Sequence, residues 1–148
     1  MPRWTRLRME TVLDENAIGT IVLSHAIRLH RELGPGLLES VYEVLLADAL
    51  ERNGLCVERQ VVVPIHFHGR SFHEGFRADV IVQGKVLLEI KSVSRVCDAH
   101  RKQVLTYLKL TGLRLGYILN FGASMLKDGI VRISNGLIQA NRTTIQRI

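Results

Sequence analysis

The residues best suited to act together chemically lie in one short stretch, where Asp79 precedes the triplet Glu89-Ile90-Lys91. Two carboxylates brought together at the end of adjacent strands are hard oxygen ligands of the kind that Mg²⁺ or Mn²⁺ prefers. A lysine two positions after the second acid can polarise a phosphate or assist an attacking water, because its ammonium is a compact charge that responds to its surroundings. The competing reading is a cross-strand salt bridge on a solvated face, since acid-x-Lys triplets are common in strands.

The chemistry requires both acids on one face of a hairpin. Strand side chains alternate, so Val80, Val82, Val86, Leu88 and Ile90 form an apolar even-numbered face that reads as core. The odd-numbered face carries Arg77, Asp79, Ile81, Leu87, Glu89 and Lys91. A two-residue loop at Gln83-Gly84 would set Asp79 opposite Leu88 and turn its carboxylate toward the core. A three-residue loop with Gly84 in the left-handed region keeps the odd residues together. Burying an unpaired carboxylate is expensive, so the odd-length loop is expected.

The elements around this hairpin follow from periodicity and breakers. Ile18, Ile21, Val22, His25, Ala26 and Leu29 recur at helical spacing between Leu13 and Leu33, with Asp14 or Asn16 as cap and Gly34-Pro35-Gly36 as the stop. A second helix is expected from Leu38 to Arg52, with Val41, Leu45, Leu46, Ala49 and Leu50 inward and Asn53-Gly54 ending it. Val57 to Phe67, with the run Val61-Val62-Val63, reads as a buried strand. Phe72 to Val82 and Lys85 to Lys91 read as two more. A helix over Asp98 to Leu110 stops at Thr111-Gly112, and short strands are expected over Leu115 to Phe121 and Ile130 to Ile133. The order is ααβββαββ, an α+β arrangement around a mixed sheet. Residues 1–12 read as a flexible basic arm, 13–134 as one domain and 135–148 as a polar tail.

The 148 residues suit a single domain, and 47% hydrophobic content with 5% aromatics implies an aliphatic core. Twenty Lys and Arg against 14 Asp and Glu give +6, a balance that favours a polyanionic partner. Cys56 and Cys97 lack metal or redox spacing and read as reduced thiols. The basic N-terminus has no apolar stretch of a signal peptide, and no run reaches the ~18 apolar residues of a membrane span, so a cytoplasmic protein is expected. Self-association into a homo-oligomer is compatible with the sequence. His66, His68 and His73 flank the Gly69-Arg70-Ser71 turn; a zinc site there competes with exposed hairpin histidines, and the absence of nearby Cys favours the latter. His25 and His30 read as packing or surface residues. Arg77, His100 and Arg101 are candidate phosphate contacts, with a salt bridge as the alternative for Arg77.

Gly36-Leu37-Leu38-Glu39-Ser40-Val41-Tyr42 matches the GxxExxY signature. Further blocks follow in order: Arg77-Ala78-Asp79-Val80-Ile81-Val82, Glu89-Ile90-Lys91, Gln103-x-x-x-Tyr107-Leu108-Lys109 and Gly116-Tyr117-Ile118-Leu119-Asn120-Phe121-Gly122. Over about residues 14 to 134 the chain resembles the GxxExxY family of small bacterial proteins, placed in the PD-(D/E)XK nuclease superfamily. The resemblance implies a mixed β-sheet flanked by α-helices and Mg²⁺- or Mn²⁺-dependent hydrolysis of phosphodiester bonds in nucleic acid, DNA before RNA. It makes Asp79 and Glu89 metal ligands, with the Ile90 backbone carbonyl beside them, and Lys91 the catalytic lysine. Glu39 would reach the metal directly or through water, and Gln103 and Tyr107 would support the lysine and the nucleic acid. Ala78 stands where some members have proline.

Read without the resemblance, Glu39 is an acid favoured in the first turn of a helix. Gln103 and Tyr107, four apart on one helix face, are then a polar pair that satisfies itself. The alternative function is a module of the same fold that binds nucleic acid or a protein partner without turnover.

Overall fold

The structure is a computed structural model that describes residues 12–137. Residues 1–11 of the expected arm and 138–148 of the expected tail lie outside the described residues.

Helix α1 spans Glu15–Leu33. Asp14 caps it, its carboxylate accepting the Ala17 N–H at 2.7 Å, and Gly34 ends it at φ 71°. Helix α2 spans Glu39–Arg52, but its inward face differs from the expected one. Tyr42, Glu43, Leu46, Ala47 and Leu50 are buried, whereas Val41 and Leu45 are exposed. Tyr42 sets this rotation. Its ring stacks on Phe121 at 4.3 Å, and its hydroxyl donates to the Gly34 carbonyl at 2.5 Å and accepts the Leu37 N–H at 3.2 Å. Glu43 follows it inward because Arg59 and Gln60 supply donors there.

The two long strands expected before the central hairpin are each split. Strand β1 is Val57–Val62 and β2 is Ile65–Phe67, broken at Val63-Pro64 where proline lacks an N–H for the ladder. Strand β3 is Arg70–Phe72 and β4 is Arg77–Val82, separated by a bend at Gly75 with φ 109°. Strands β2 and β3 pair only with each other. Because β1 is an edge strand, Val62 is 43% exposed while Val63 is buried, so the valine run is not uniformly core.

Strand β5 is Val86–Lys91, α3 is Asp98–Thr111, and β6 is Leu115–Asn120. A 3₁₀ turn at Leu126–Gly129, not anticipated, leads into β7, Ile130–Ser134. The five-stranded sheet has the order β1-β4-β5-β6-β7. Only β5 and β6 run parallel, and α3 is the crossover such a pair needs. The element order is therefore ααβββββαββ around a mixed sheet.

Both faces of the sheet are covered. Helices α1 and α2 lay Ile18, Val22, Tyr42, Leu46 and Leu50 against the even-numbered residues Val80, Val82, Val86, Leu88 and Ile90. On the other face Val104, Tyr107 and Leu108 of α3 pack on Ile81, Leu87 and Ile118. The odd-numbered face is thus a second core at one end and carries charge only at the other. Val82 pairs with Val86, so three residues form the β4–β5 loop, as strand parity requires. Gln83 and Gly84 both turn left-handed there, at φ 56° and 62°. No helix among the described residues is long and apolar enough to cross a membrane.

Candidate active site

Strands β4 and β5 pair regularly from Val82↔Val86 to Val80↔Leu88, and the next step would set Asp79 against Glu89. There the ladder gives way. Asp79 Oδ2 instead accepts the Ile90 N–H at 2.8 Å, so a side chain takes the bond a strand neighbour would have made. The carboxylates are held at the charged end of the odd face, where β5 runs beside β6 with Glu89 next to Ile118 and Lys91 next to Asn120.

Glu89 is 5% exposed. Lys91 Nζ lies 3.5 Å from its Oε1, and its Oε2 is buried without any hydrogen-bond partner. Burial first, and then the negative charge of Asp79, push the Glu89 carboxyl up to about 7, against the opposing pull of Lys91. Asp79 is raised as well, chiefly by burial. The Ile90 N–H, Lys91 and Gln60 offset this in part, while the charge of Glu43 adds to it. Two interacting carboxylates held in a poorly solvated place, with a lysine beside them, are costly to keep charged unless a cation joins them.

A family model described as the PD-(D/E)XK nuclease superfamily matches residues 16–133. The chain belongs to this superfamily. Among curated proteins and solved structures, none matches the chain. The five-stranded mixed sheet with helices on both faces is the superfamily fold, and nucleases of the superfamily typically use divalent metals.

The residues present fit such a metal in one respect and depart from the expected set in another. Glu89 Oε2 has no hydrogen-bond partner, and the carboxyls of both Glu89 and Asp79 are raised by burial, so a hard divalent cation would suit this pair of acids. Yet among the described residues no three His, Cys, Asp or Glu side chains converge. Glu39 is exposed and its Oε1 accepts the Ser92 N–H at 3.2 Å. Two carboxylates remain, and Mg²⁺ is commonly bound by one or two carboxylates with water and substrate phosphate completing its shell.

The GxxExxY segment acts as a clamp in this superfamily member. Tyr42 ties down the Gly34–Leu37 loop, and Ser92 Oγ donates to the Leu37 carbonyl at 2.9 Å. With Glu39 on the Ser92 N–H, the start of α2 is joined to the residue that follows Lys91. From the other side Asn120, itself buried, grips Val93, two residues after Lys91. Its Oδ1 accepts the Val93 and Gly122 N–H groups at 3.0 Å each, and its Nδ2 donates to the Val93 carbonyl at 2.9 Å. Gly122 must be glycine, because a Cβ there would stand 2.3 Å from the Val93 carbonyl oxygen.

From α3, Gln103 Nε2 donates to the Tyr107 hydroxyl at 3.0 Å. The Tyr107 hydroxyl is raised by burial first and then by the charge of Glu89, with Asp79 contributing less, against the lowering effect of its hydrogen bonds to Gln103 and the Arg77 backbone. His100 is occupied as a cap, its Nδ1 accepting the Cys97 N–H at 3.2 Å. Arg77 and Arg101 are exposed, and neither forms an ion pair among the described residues. His30 is core, bonded to the Phe121 carbonyl at 3.1 Å. His66 is bonded to Ser71 at 2.8 Å, and no metal-binding group of His residues forms in the β2–β3 hairpin.

Sequence reasoning missed Glu43, Arg59 and Gln60. Glu43 is 4% exposed and fully engaged: Arg59 bonds its Oε2 at 2.7 and 3.1 Å, and Gln60 bonds its Oε1 at 2.6 Å. Gln60 also reaches Asp79 Oδ1 at 3.4 Å from a left-handed backbone of φ 52°. One signal was available: Glu43 lies four residues after Glu39, on the same face of α2.

Proposed function

We propose that this chain is a Mg²⁺- or Mn²⁺-dependent nuclease that hydrolyses phosphodiester bonds, in DNA before RNA, in the cytoplasm. The observation that carries the reading is the buried Glu89 carboxylate with one oxygen unpartnered, beside Asp79 and Lys91. A fully structural acid at that depth would have both oxygens satisfied.

Asp79, Glu89 and the Ile90 carbonyl would hold the metal, with Glu39 reaching it through water. A bound divalent ion would supply charge stabilisation at the phosphate and acidify a bound water. The chain's own residues do the rest. The Ile90 N–H and Gln60 fix the Asp79 carboxylate, so it need not reorganise when substrate arrives. Lys91, anchored on Glu89, presents its ammonium to a non-bridging phosphate oxygen and to the attacking water. That water forms the new P–O bond as the bond to the leaving sugar oxygen breaks, and the proton the water gives up to solvent is balanced by one that the departing oxygen takes from solvent. Gln103 and Tyr107 orient Lys91 from above, while Arg77, Arg101 and the free edge of His100 meet backbone phosphates.

The test is cleavage of single- and double-stranded DNA and RNA with Mn²⁺ or Mg²⁺, by wild type and Lys91→Ala. Metal-dependent cleavage that Lys91→Ala removes is the expected result. Cleavage unchanged in the variant rejects the site. No cleavage at all, with no Mn²⁺-induced rise in melting temperature, leaves the fold as a binding module.

A further inference from the structure

The β2–β3 hairpin takes no part in the main sheet. It leaves the sheet above the Val63 N–H, which donates to the Phe76 carbonyl at 2.9 Å. A two-stranded ribbon alone is marginal in water, so large apolar side chains exposed on it contribute little to folding. Phe67 is nevertheless 62% exposed and Phe72 40%. The register sets Ile65 opposite Phe72 and Phe67 opposite Arg70. Ile65, Phe67, Arg70 and Phe72 therefore share one face, with the bonded pair His66 and Ser71 on the other. The Phe67 ring is braced edge-on by His68 at 4.2 Å, where His68 and Gly69 form a left-handed turn. Among the described residues Arg70 has no acidic partner.

This face is joined to the candidate active site. At the hairpin's base Phe76 packs edge-on against Tyr107 at 5.2 Å, and β4 runs from Arg77 directly to Asp79. At most ~25 Å of extended chain separates Phe72 from Asp79, a span that a few unpaired nucleotides can bridge.

Resting on the nuclease reading above, we infer that the Phe67–Arg70–Phe72 face is a stacking platform for unpaired bases of the strand entering the site. Aromatic rings offer the same contact to every base, and an unpaired arginine between them can stack or meet the phosphate. The chain's net charge of +6 favours the same polyanion. Bases inside a duplex are already stacked on their neighbours, so the platform selects single strands or frayed ends.

The test uses the full chain in a Glu89→Gln background, which silences turnover, with anisotropy of a labelled single-stranded DNA and of a blunt duplex. Phe67→Leu, which keeps apolar bulk but loses the ring, is expected to weaken single-strand binding on the order of 10-fold. Phe67→Tyr is expected to bind as the parent does, and duplex binding should change little in either variant. The inference is overturned if Leu binds as well as Tyr, if the loss is equal on duplex, or if the parent binds no single strand. Melting curves of both variants verify folding, which an exposed side chain should not disturb. The nuclease reading is judged separately, by metal-dependent cleavage in wild type, and can stand while Phe67→Leu is silent.

Discussion

Glu43 and Glu89 are buried alike, 4% and 5% exposed, and both act electrostatically on Asp79 or feel its charge. Around Glu43 the chain has supplied every partner, with a two-pronged Arg59 on one oxygen and Gln60 on the other. Around Glu89 it has supplied one ammonium at 3.5 Å and left Oε2 with nothing. The desolvation of the first acid is offset inside the fold, and that of the second is not. A chain able to satisfy one buried carboxylate so completely did not lack the means to satisfy its neighbour. Under the proposed function, the difference separates an acid that holds structure from one that would hold a metal.

The largest expected effect breaks the comparison if it fails. Glu89→Gln and Lys91→Ala should each lower metal-dependent cleavage by about 10³-fold, since in the proposed site the first loses a carboxylate that would hold the metal and the second the ammonium presented to the phosphate. Glu43→Ala should act on stability instead, costing ~2–3 kcal/mol in urea unfolding because Arg59 and Gln60 lose their acceptor. Arg59 is partly exposed, so water takes over part of the interaction it loses. Equal stability of Glu43→Ala and wild type would remove the structural half of the contrast.

Next in size is an effect of opposite sign. With no metal present, the native state holds the Glu89 proton more tightly than the unfolded chain, about 7 against 4.5. Its contribution is therefore harmless below pH 4.5, destabilises progressively as pH rises toward 7, and stays at its worst above that. Glu89→Gln should consequently be more stable than wild type at pH 8 in chelator, by up to ~3 kcal/mol, and equal to it near pH 4. Chemical denaturation at the two pH values measures the difference. A variant less stable than wild type at pH 8 would mean that Glu89 is a satisfied acid after all.

How much of this was legible in the sequence depends on how local each cause is. The even-numbered core and the three-residue loop follow from alternation and the cost of a buried charge, and both are present. The helix ends at Gly34 and Gly112 were legible because glycine alone takes those backbones readily. The rotation of α2 was not, since Val41 and Leu45 look as apolar as Leu46, and only Phe121, 79 residues after Tyr42, decides which side faces in. Pro64 could have announced the break in the first strand, but nothing local says that the residues beyond it leave the sheet. Asp79, Glu89 and Lys91 were legible as a group. Their support by Gln60, Asn120 and Glu43 was not, because those contacts join residues far apart in the chain through backbone turns.

The smallest expected effect sharpens the contrast on the α3 side, where Gln103 and Tyr107 satisfy one another as a purely structural pair would. Tyr107→Phe removes the neutral hydrogen bonds of its hydroxyl to Gln103 and to the Arg77 backbone, so it should cost ~1–2 kcal/mol of stability. If the pair belongs to the architecture alone, cleavage per folded molecule will then match wild type. The Tyr107 hydroxyl feels the charges of Glu89 and Asp79, so under the proposed mechanism the pair acts on the acid–lysine group as well. A loss of roughly 10-fold in cleavage is expected, within the range for one positioned hydrogen-bonding group and well below that of Lys91→Ala. Gln103→Ala should reproduce it, and the double variant should add little, since residues acting on one target through one bond are not independent. Additive losses in the double variant would separate the two roles and assign Tyr107 to the acids and Gln103 to substrate.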